Sequence, residues 1–322
     1  MRPARDHDRK SPQMATIHIG LTYPDLLAHI APGDLAERAE RWGFHTFWVT
    51  DHALTPRLDP LVLLAAVSRR TRRLRLGTGV LAVPYRTPYL TAKAAASVDV
   101  LSGGRCTLGL GIGDLFHEFA ALELDRRVRG RLADERLEII RRLLTEDSVS
   151  FAGRFHRVTD LRLLPRPVQQ PHIPLWLGGH WAGGFVEPVL RRVARFADVF
   201  FPTWTPVEGY QAAQAEIRRH AQAQGRDPDT IGWGVQIWTY VGDSTAQGRR
   251  MGSWAMQERF GIAQVDFAQS TALGAAADCI ATLERYVALG ITEFNLSAVC
   301  PAPEMAAQYG RIAEEILPHF AN

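Results

Sequence analysis

The sequence predicts an α/β chain of the (βα)8-barrel, or TIM-barrel, class with insertions, and two observations carry that prediction. At 322 residues the chain is long enough to bury one large core as a single unit. Along it, short β-branched or aromatic runs alternate with stretches of helical period, and the beat is counted eight times. Periodicity alone would also allow a doubly wound open sheet.

Residues 1–15 are polar and charged and are expected to be a disordered extension, with Met14 a candidate start; the barrel is expected over 16–322. Residues 16–21 read as the first strand. Leu35, Ala39 and Trp42 then fall on one helical face, and Gly43 supplies the stop. The second strand is 46–50, and Asp59-Pro60 is an N-cap and first-turn pair opening the helix through Val67. The third strand is 74–79. Thr87-Pro88 opens an alanine-rich helix that ends before Ser102-Gly103-Gly104. Strand four is Cys106–Gly111, followed by a helix with Ala133, Leu137, Ile140 and Leu144 at core-facing spacing. Around Gly153 the period changes to alternation, so 149–171 reads as a hairpin insertion. Strands five to eight are Leu175–Leu177, 198–201, 234–241 and 291–296. Residues 242–271 are too long for a connection and are helix-compatible, so they read as a cap over one end of the barrel.

Composition excludes several classes. A formal charge of +3, with both signs mixed along the chain, leaves no basic stripe for nucleic acid. Cys106, Cys279 and Cys300 are odd in number, far apart and in apolar company, which fits buried thiols in a reducing, cytoplasmic compartment. No apolar run reaches the ~18 residues of a membrane span. Lys93 sits mid-helix rather than at a strand end, which argues against a Schiff-base aldolase.

In a βα-barrel the chemistry lies at the C-terminal ends of the strands. Asp51-His52, after the second strand, places a carboxylate and an imidazole there, where proton transfer at neutral pH is feasible. Read alone, the pair also fits a capped loop. Gly77 and Gly79 let the third strand kink or approach a flat ligand. Gly109, Gly111, Gly113 and Asp114, with His117-Glu118 one turn on, form a glycine-rich strand end that matches a dinucleotide fingerprint only loosely. Gly178-Gly179-His180 offers backbone N–H groups and a helix start to a phosphate, or simply a tight turn. The histidines lack HExxH spacing, so no catalytic metal is expected.

Taken in order, Gly43 to His52, Leu76 to Val80, Asp99-Val100-Leu101-Ser102-Gly103-Gly104-Arg105 and Pro174 to Gly179 resemble the bacterial-luciferase-like flavin and F420 oxidoreductases. The resemblance implies a non-prolyl cis peptide at Gly79-Val80, behind the central ring of the cofactor. It implies that Asp51 meets the hydroxyl edge of a deazaflavin, that His52 exchanges a proton with substrate, and that Asp114 is a second acid or base. Gly111, Gly113 and His117 would line the cofactor, and Gly178, Gly179 and His180 would hold its phosphate. Arg105 would tie the start of strand four to neighbouring carboxylates. Sugar-phosphate dehydrogenases of the family carry a tryptophan four positions beyond the histidine, where this chain has Pro56.

The resulting expectation is F420-dependent hydride transfer to or from a small organic substrate. The phosphate loop lacks the serine or threonine common in FMN-binding relatives, which favours F420 over FMN. The alternatives are an FMN-dependent monooxygenase fed by a separate flavin reductase and a non-catalytic flavin-binding barrel. Trp181, Trp204, Trp233, Trp238 and Tyr240 fit an apolar or aromatic substrate pocket as well as core packing. A homodimer is expected from the resemblance.

Overall fold

The computed structural model describes residues 16–24, 30–260 and 269–321, so the expected extension over 1–15 and part of the expected cap lie outside the described residues. The chain runs β1 (His18–Tyr23), α1 (Pro32–Trp42), β2 (Thr46–Val49), α2 (Pro60–Ser68), β3 (Arg75–Ala82), α3 (Pro88–Ser102) and β4 (Cys106–Gly111). It continues through α4 (Phe116–Ala121), α5 (Arg129–Thr145), β5 (Val149–Ala152), β6 (Arg157–Leu161), β7 (Leu175–Leu177), α6 (Glu187–Phe196), β8 (Val199–Phe200) and α7 (Val207–Ala223). The last elements are β9 (Gly232–Val241), α8 (Thr245–Phe260), β10 (Thr271–Gly274), α9 (Ala276–Val287), β11 (Glu293–Ala298), α10 (Met305–Glu315) and α11 (Leu317–Phe320).

Eight parallel strands close a ring in the order β1-β2-β3-β4-β7-β8-β9-β11, with β11 returning to β1. That closure, with His18 opposite Glu293 and Leu21 opposite Leu296, removes the open-sheet alternative. A ninth strand, β10, hangs on the C-terminal half of β9, from Thr271 beside Trp238 to Gly274 beside Val241. Helical period over 242–271 gave no sign of it. Four residues pairing at a long strand's end are too short to show alternation. Helix α8 packs on β10 at Gly248 and Gly252, where added Cβ atoms would meet Gly274 backbone and the Leu273 side chain at 2.6 Å.

Local chemistry sets the helix ends. Asp59 accepts from the N–H groups of Leu61 and Val62, and Thr87 from Leu90, satisfying donors that the first turn leaves orphaned. Gly43 and Gly103 close α1 and α3 in the left-handed region, at φ 89° and 68°. Buried Asp99 accepts from Val168 N, Gln169 N and Gln169 Nε2, fastening the segment after the β5–β6 hairpin to α3. Arg105 is structural, but by another route than its expected carboxylates. It donates to the carbonyls of Ser68, Thr71, Ser102 and Leu74 and to Thr71 Oγ1. The nearby Glu40 carboxylate is already taken by the N–H groups of Arg72, Arg73 and Leu74.

Outward-facing strand residues such as Phe47, Val49, Leu76 and Leu108 pack under the helices, while Trp48, Trp176 and Phe201 form a separate aromatic cluster inside the ring. No helix among the described residues is long and apolar enough to cross a membrane.

The inside of the ring is also where small residues are mandatory. A Cβ on Gly109 would lie 2.0 Å from the Thr78 carbonyl oxygen. Gly109→Ala is therefore expected to cost about 3 kcal/mol in urea unfolding, the upper range for overpacking. Gly184, where an added Cβ meets nothing within 4 Å, should change stability by less than ~0.5 kcal/mol when replaced by alanine.

Candidate active site

The ends of β2 and β3 are welded together by Asp51. Its N–H donates to Val80 O at 3.3 Å, and its buried carboxylate accepts from Ala82 N at 3.1 Å and from Arg86 Nη2 at 3.2 Å. Arg86 spans on to Asp59 at 2.7 Å. The turn that presents Tyr85 and Arg86 is held from outside by Arg136, which donates to the carbonyls of Val83, Pro84 and Arg86. The peptide Gly79-Val80, at the centre of this weld, is cis.

Next to Asp51, His52 lies partly exposed with its Nδ1 3.7 Å from Glu118 Oε1. Glu118 is fully buried on α4 and fixed by the Leu54 N–H at 3.2 Å and the Tyr85 hydroxyl at 2.8 Å. Burial holds the His52 imidazole below its ordinary value, with the Arg57 charge adding to the effect; Glu118, Asp114 and Asp51 oppose both. The ring is therefore neutral at pH 7 and can accept a proton, with a buried carboxylate beside it to favour the charged form.

A second group forms at the ends of β4 and β7. Gly113 adopts φ 72°, turning Asp114 towards His180, whose Nε2 is 3.9 Å from Asp114 Oδ2; both side chains are more than half exposed. Gly111 leaves room for Val80, whose Cγ2 would be 2.7 Å from an added Cβ. Gly178 abuts the Phe201 carbonyl, 1.9 Å from a hypothetical Cβ, and Gly179 O accepts from Thr203 N. The structure thus gathers Asp51, His52, Gly79, Val80 and Gly111 on one side of the mouth, and Asp114, Gly178, Gly179 and His180 on the other. His117 stands apart, exposed in the first turn of α4.

Sequence reasoning gave no role to Glu118, Tyr85 or Arg86. Glu118 was visible only as the neighbour of His117, and a six-residue helix is too short for its period to say which of the two turns inward.

Below the rim, Val80 packs on the Trp48, Trp176 and Phe201 cluster, an apolar floor. At the rim, His52 Nδ1 faces the Glu118 carboxylate, whereas Thr50 Oγ1 and Thr203 Oγ1 are buried without hydrogen-bond partners. Buried polar atoms are ordinarily satisfied, so these orphans mark places where a ligand supplies the partner. A flat heterocycle with polar edges, as in a flavin or deazaflavin, fits this combination of floor and rim.

Comparison with known proteins agrees in kind. The family described as luciferase-like monooxygenase matches residues 31–286. The chain is 31% identical over 225 residues to 4-hydroxyprotoasukamycin monooxygenase of Streptomyces nodosus subsp. asukaensis, covering 66% of this chain and 59% of that protein. It is 32% identical over 241 residues to the F420-dependent hydroxymycolic acid dehydrogenase of Mycobacterium tuberculosis, covering 72% and 63%. It thus spans less than two thirds of either relative's length. Among solved structures, monooxygenase RslO1 from Streptomyces bottropensis superposes with TM-score 0.77 at 26% identity, over 95% of this chain and 100% of that one.

The electrostatics are open to direct measurement. The His52 imidazole should titrate in NMR below the ordinary 6.5. Glu118→Gln, which removes a charge favouring imidazolium, should lower the midpoint further; a rise would contradict the geometry. Because the folded value lies below the unfolded one, His52's contribution to stability is complete above the unfolded value. It is lost as pH falls from there towards the folded one.

Proposed function

This chain belongs to the luciferase-like monooxygenase family, and we propose that within it the protein is an F420-dependent oxidoreductase acting on a small organic substrate. The activity, the cofactor, the substrate class and the direction of transfer all belong to this proposal. The observation that carries the reading is the neutral, half-buried imidazole of His52 at the mouth, backed by the buried carboxylate of Glu118.

The deazaflavin, when bound, supplies the hydride chemistry. Val80 and the Gly79 backbone would back its ring, Gly111 and Gly113 would line it, and Asp51, fixed by Ala82 and Arg86, would flank its hydroxyl edge, while His117, exposed on α4, is left out of the pocket. The N–H groups of Gly178 and Gly179, with His180, would hold its phosphate. His52 takes the proton released when a substrate hydroxyl is oxidised and returns it in the reverse direction. Glu118 favours the transient imidazolium without leaving its bonds to Leu54 and Tyr85. Asp114, across the mouth, is placed to act as a second acid or base. Pro56, in place of the tryptophan of sugar-phosphate dehydrogenases, supports a different and less polar substrate.

The second reading is an FMN-dependent monooxygenase that takes reduced flavin from a separate reductase. It is favoured by the aromatic floor, which would keep water away from a reactive flavin.

Titration of the purified chain with F420 and with FMN, followed by ligand fluorescence, separates the two. Tight F420 binding, weakened at least tenfold by His180→Glu through repulsion of the phosphate, supports the deazaflavin reading. Preference for FMN, with oxygen uptake on addition of reduced flavin, replaces it with the second. Binding of neither overturns both. With the preferred cofactor, His52→Gln should lower turnover by about 10²–10⁴-fold, the usual contribution of a general acid–base group, while cofactor affinity stays within about twofold.

A further inference from the structure

The end of the barrel opposite the mouth carries a cluster that the proposed reaction does not use. His18 opens β1, Glu293 opens β11 and His45 immediately precedes β2, so ring closure brings three remote chain positions to one spot. His18 and Glu293 are direct register partners, with Nδ1 2.8 Å from Oε1. The His45 ring lies on the His18 ring, centroids 3.9 Å apart and planes within 6°. His45 Nδ1 is oriented by Thr46 Oγ1 at 3.0 Å. One donor atom from each of the three residues lies within 4.8 Å of the other two, and among the described residues this is the one such group of three.

We propose that His18, His45 and Glu293 form a zinc site that staples the first, second and last strands of the barrel at their N-terminal ends. The donor chemistry selects the ion. Two imidazoles and one carboxylate suit zinc, whereas magnesium and calcium favour shells of oxygen. The donors are gathered but must rearrange to bind: bonds of about 2.0–2.1 Å in a tetrahedral shell set donors roughly 3.3 Å apart, so the His18 Nδ1–Glu293 Oε1 pair at 2.8 Å opens, the His45 donor closes in from within 4.8 Å, and the two imidazoles turn out of their parallel stack so that both in-plane lone pairs meet the ion. His18 and Glu293 are partly exposed, giving the ion a way in and leaving room for water as a fourth ligand. The Thr46 hydroxyl acts on His45 as an outer partner acts on a metal-bound histidine, fixing the ring. Arg75 is the charged group that works against the ion. Its guanidinium is directed to Thr107 Oγ1, Cys106 O and Gln169 Oε1. The site lies away from the mouth, so its role is structural and independent of which cofactor the enzyme uses.

The test uses the full chain without an affinity tag, stripped with EDTA and titrated with zinc chloride by calorimetry, with magnesium chloride as comparison. One zinc per chain is expected, with an unfolding midpoint that rises by about 4 °C at a hundredfold excess over Kd and no response to magnesium. Glu293→Gln keeps a hydrogen-bonding group beside His18 and should fold with an unchanged midpoint in EDTA, yet lose the zinc response; His45→Gln should lose it too. Absence of saturable zinc binding overturns the proposal, as does stoichiometric binding that survives in a folded His18→Gln/His45→Gln double variant.

Discussion

The way Trp48 fills the barrel is the constraint on which the rest of the structure depends. Its indole is almost wholly buried, with Trp176 and Phe201 ring centroids each 4.9 Å away. It fits because its neighbours on β1 and β3 have no side chains: a Cβ on Gly20 would lie 2.6 Å from its Nε1, and one on Gly77 2.3 Å from its ring. A TIM barrel is a packed core rather than a pore. Here the packing is uneven, with three large aromatics taking the space that glycines on the adjoining strands give up. The plug fixes how deep a ligand can go, and its upper surface, with Val80, is the floor of the mouth.

From that plug the polar rim follows by strand geometry. Side chains alternate across a strand, so with Trp48 inside the ring, Val49 faces the helices and Thr50 turns back in. The chain then leaves β2 with Asp51 locked to Ala82 and Arg86, and that lock aims His52 at the mouth. The register shift between Thr78 and Leu81 on β3 brings Val80 to the same place from the other side. His52 is thus poised by competition: burial and Arg57 hold it neutral against three carboxylates, of which the buried Glu118 is the nearest in effect.

The fold was largely legible in the sequence because its signals are local. Caps at Asp59 and Thr87, left-handed stops at Gly43 and Gly103, and strand runs each declare themselves within a few residues. The cis bond at Gly79-Val80 was legible through resemblance and is present where it was implied. What stayed hidden is non-local. The Glu118 carboxylate matters because Leu54 and Tyr85, 64 and 33 positions away, converge on it. Strand β10 exists because β9 is long enough to leave an edge beyond the ring. Neither fact has a spacing that a linear reading could find.

The short strand β2 also shows how one barrel keeps stability and chemistry apart. It is bracketed by two histidines, His45 before its first residue and His52 shortly after its last. His45 is stacked on His18 beside the seam where the first and last strands meet, and burial pushes its pKa down to about 4. His52 faces carboxylates from the loops and α4. Between them on the strand stands Trp48, buried in its cluster with Trp176 and Phe201. Groups separated by a rigid packed layer and sharing no partner behave additively. A change at the N-terminal end should therefore move unfolding without moving the titration of His52, because the strand between the two is held by packing rather than by charge.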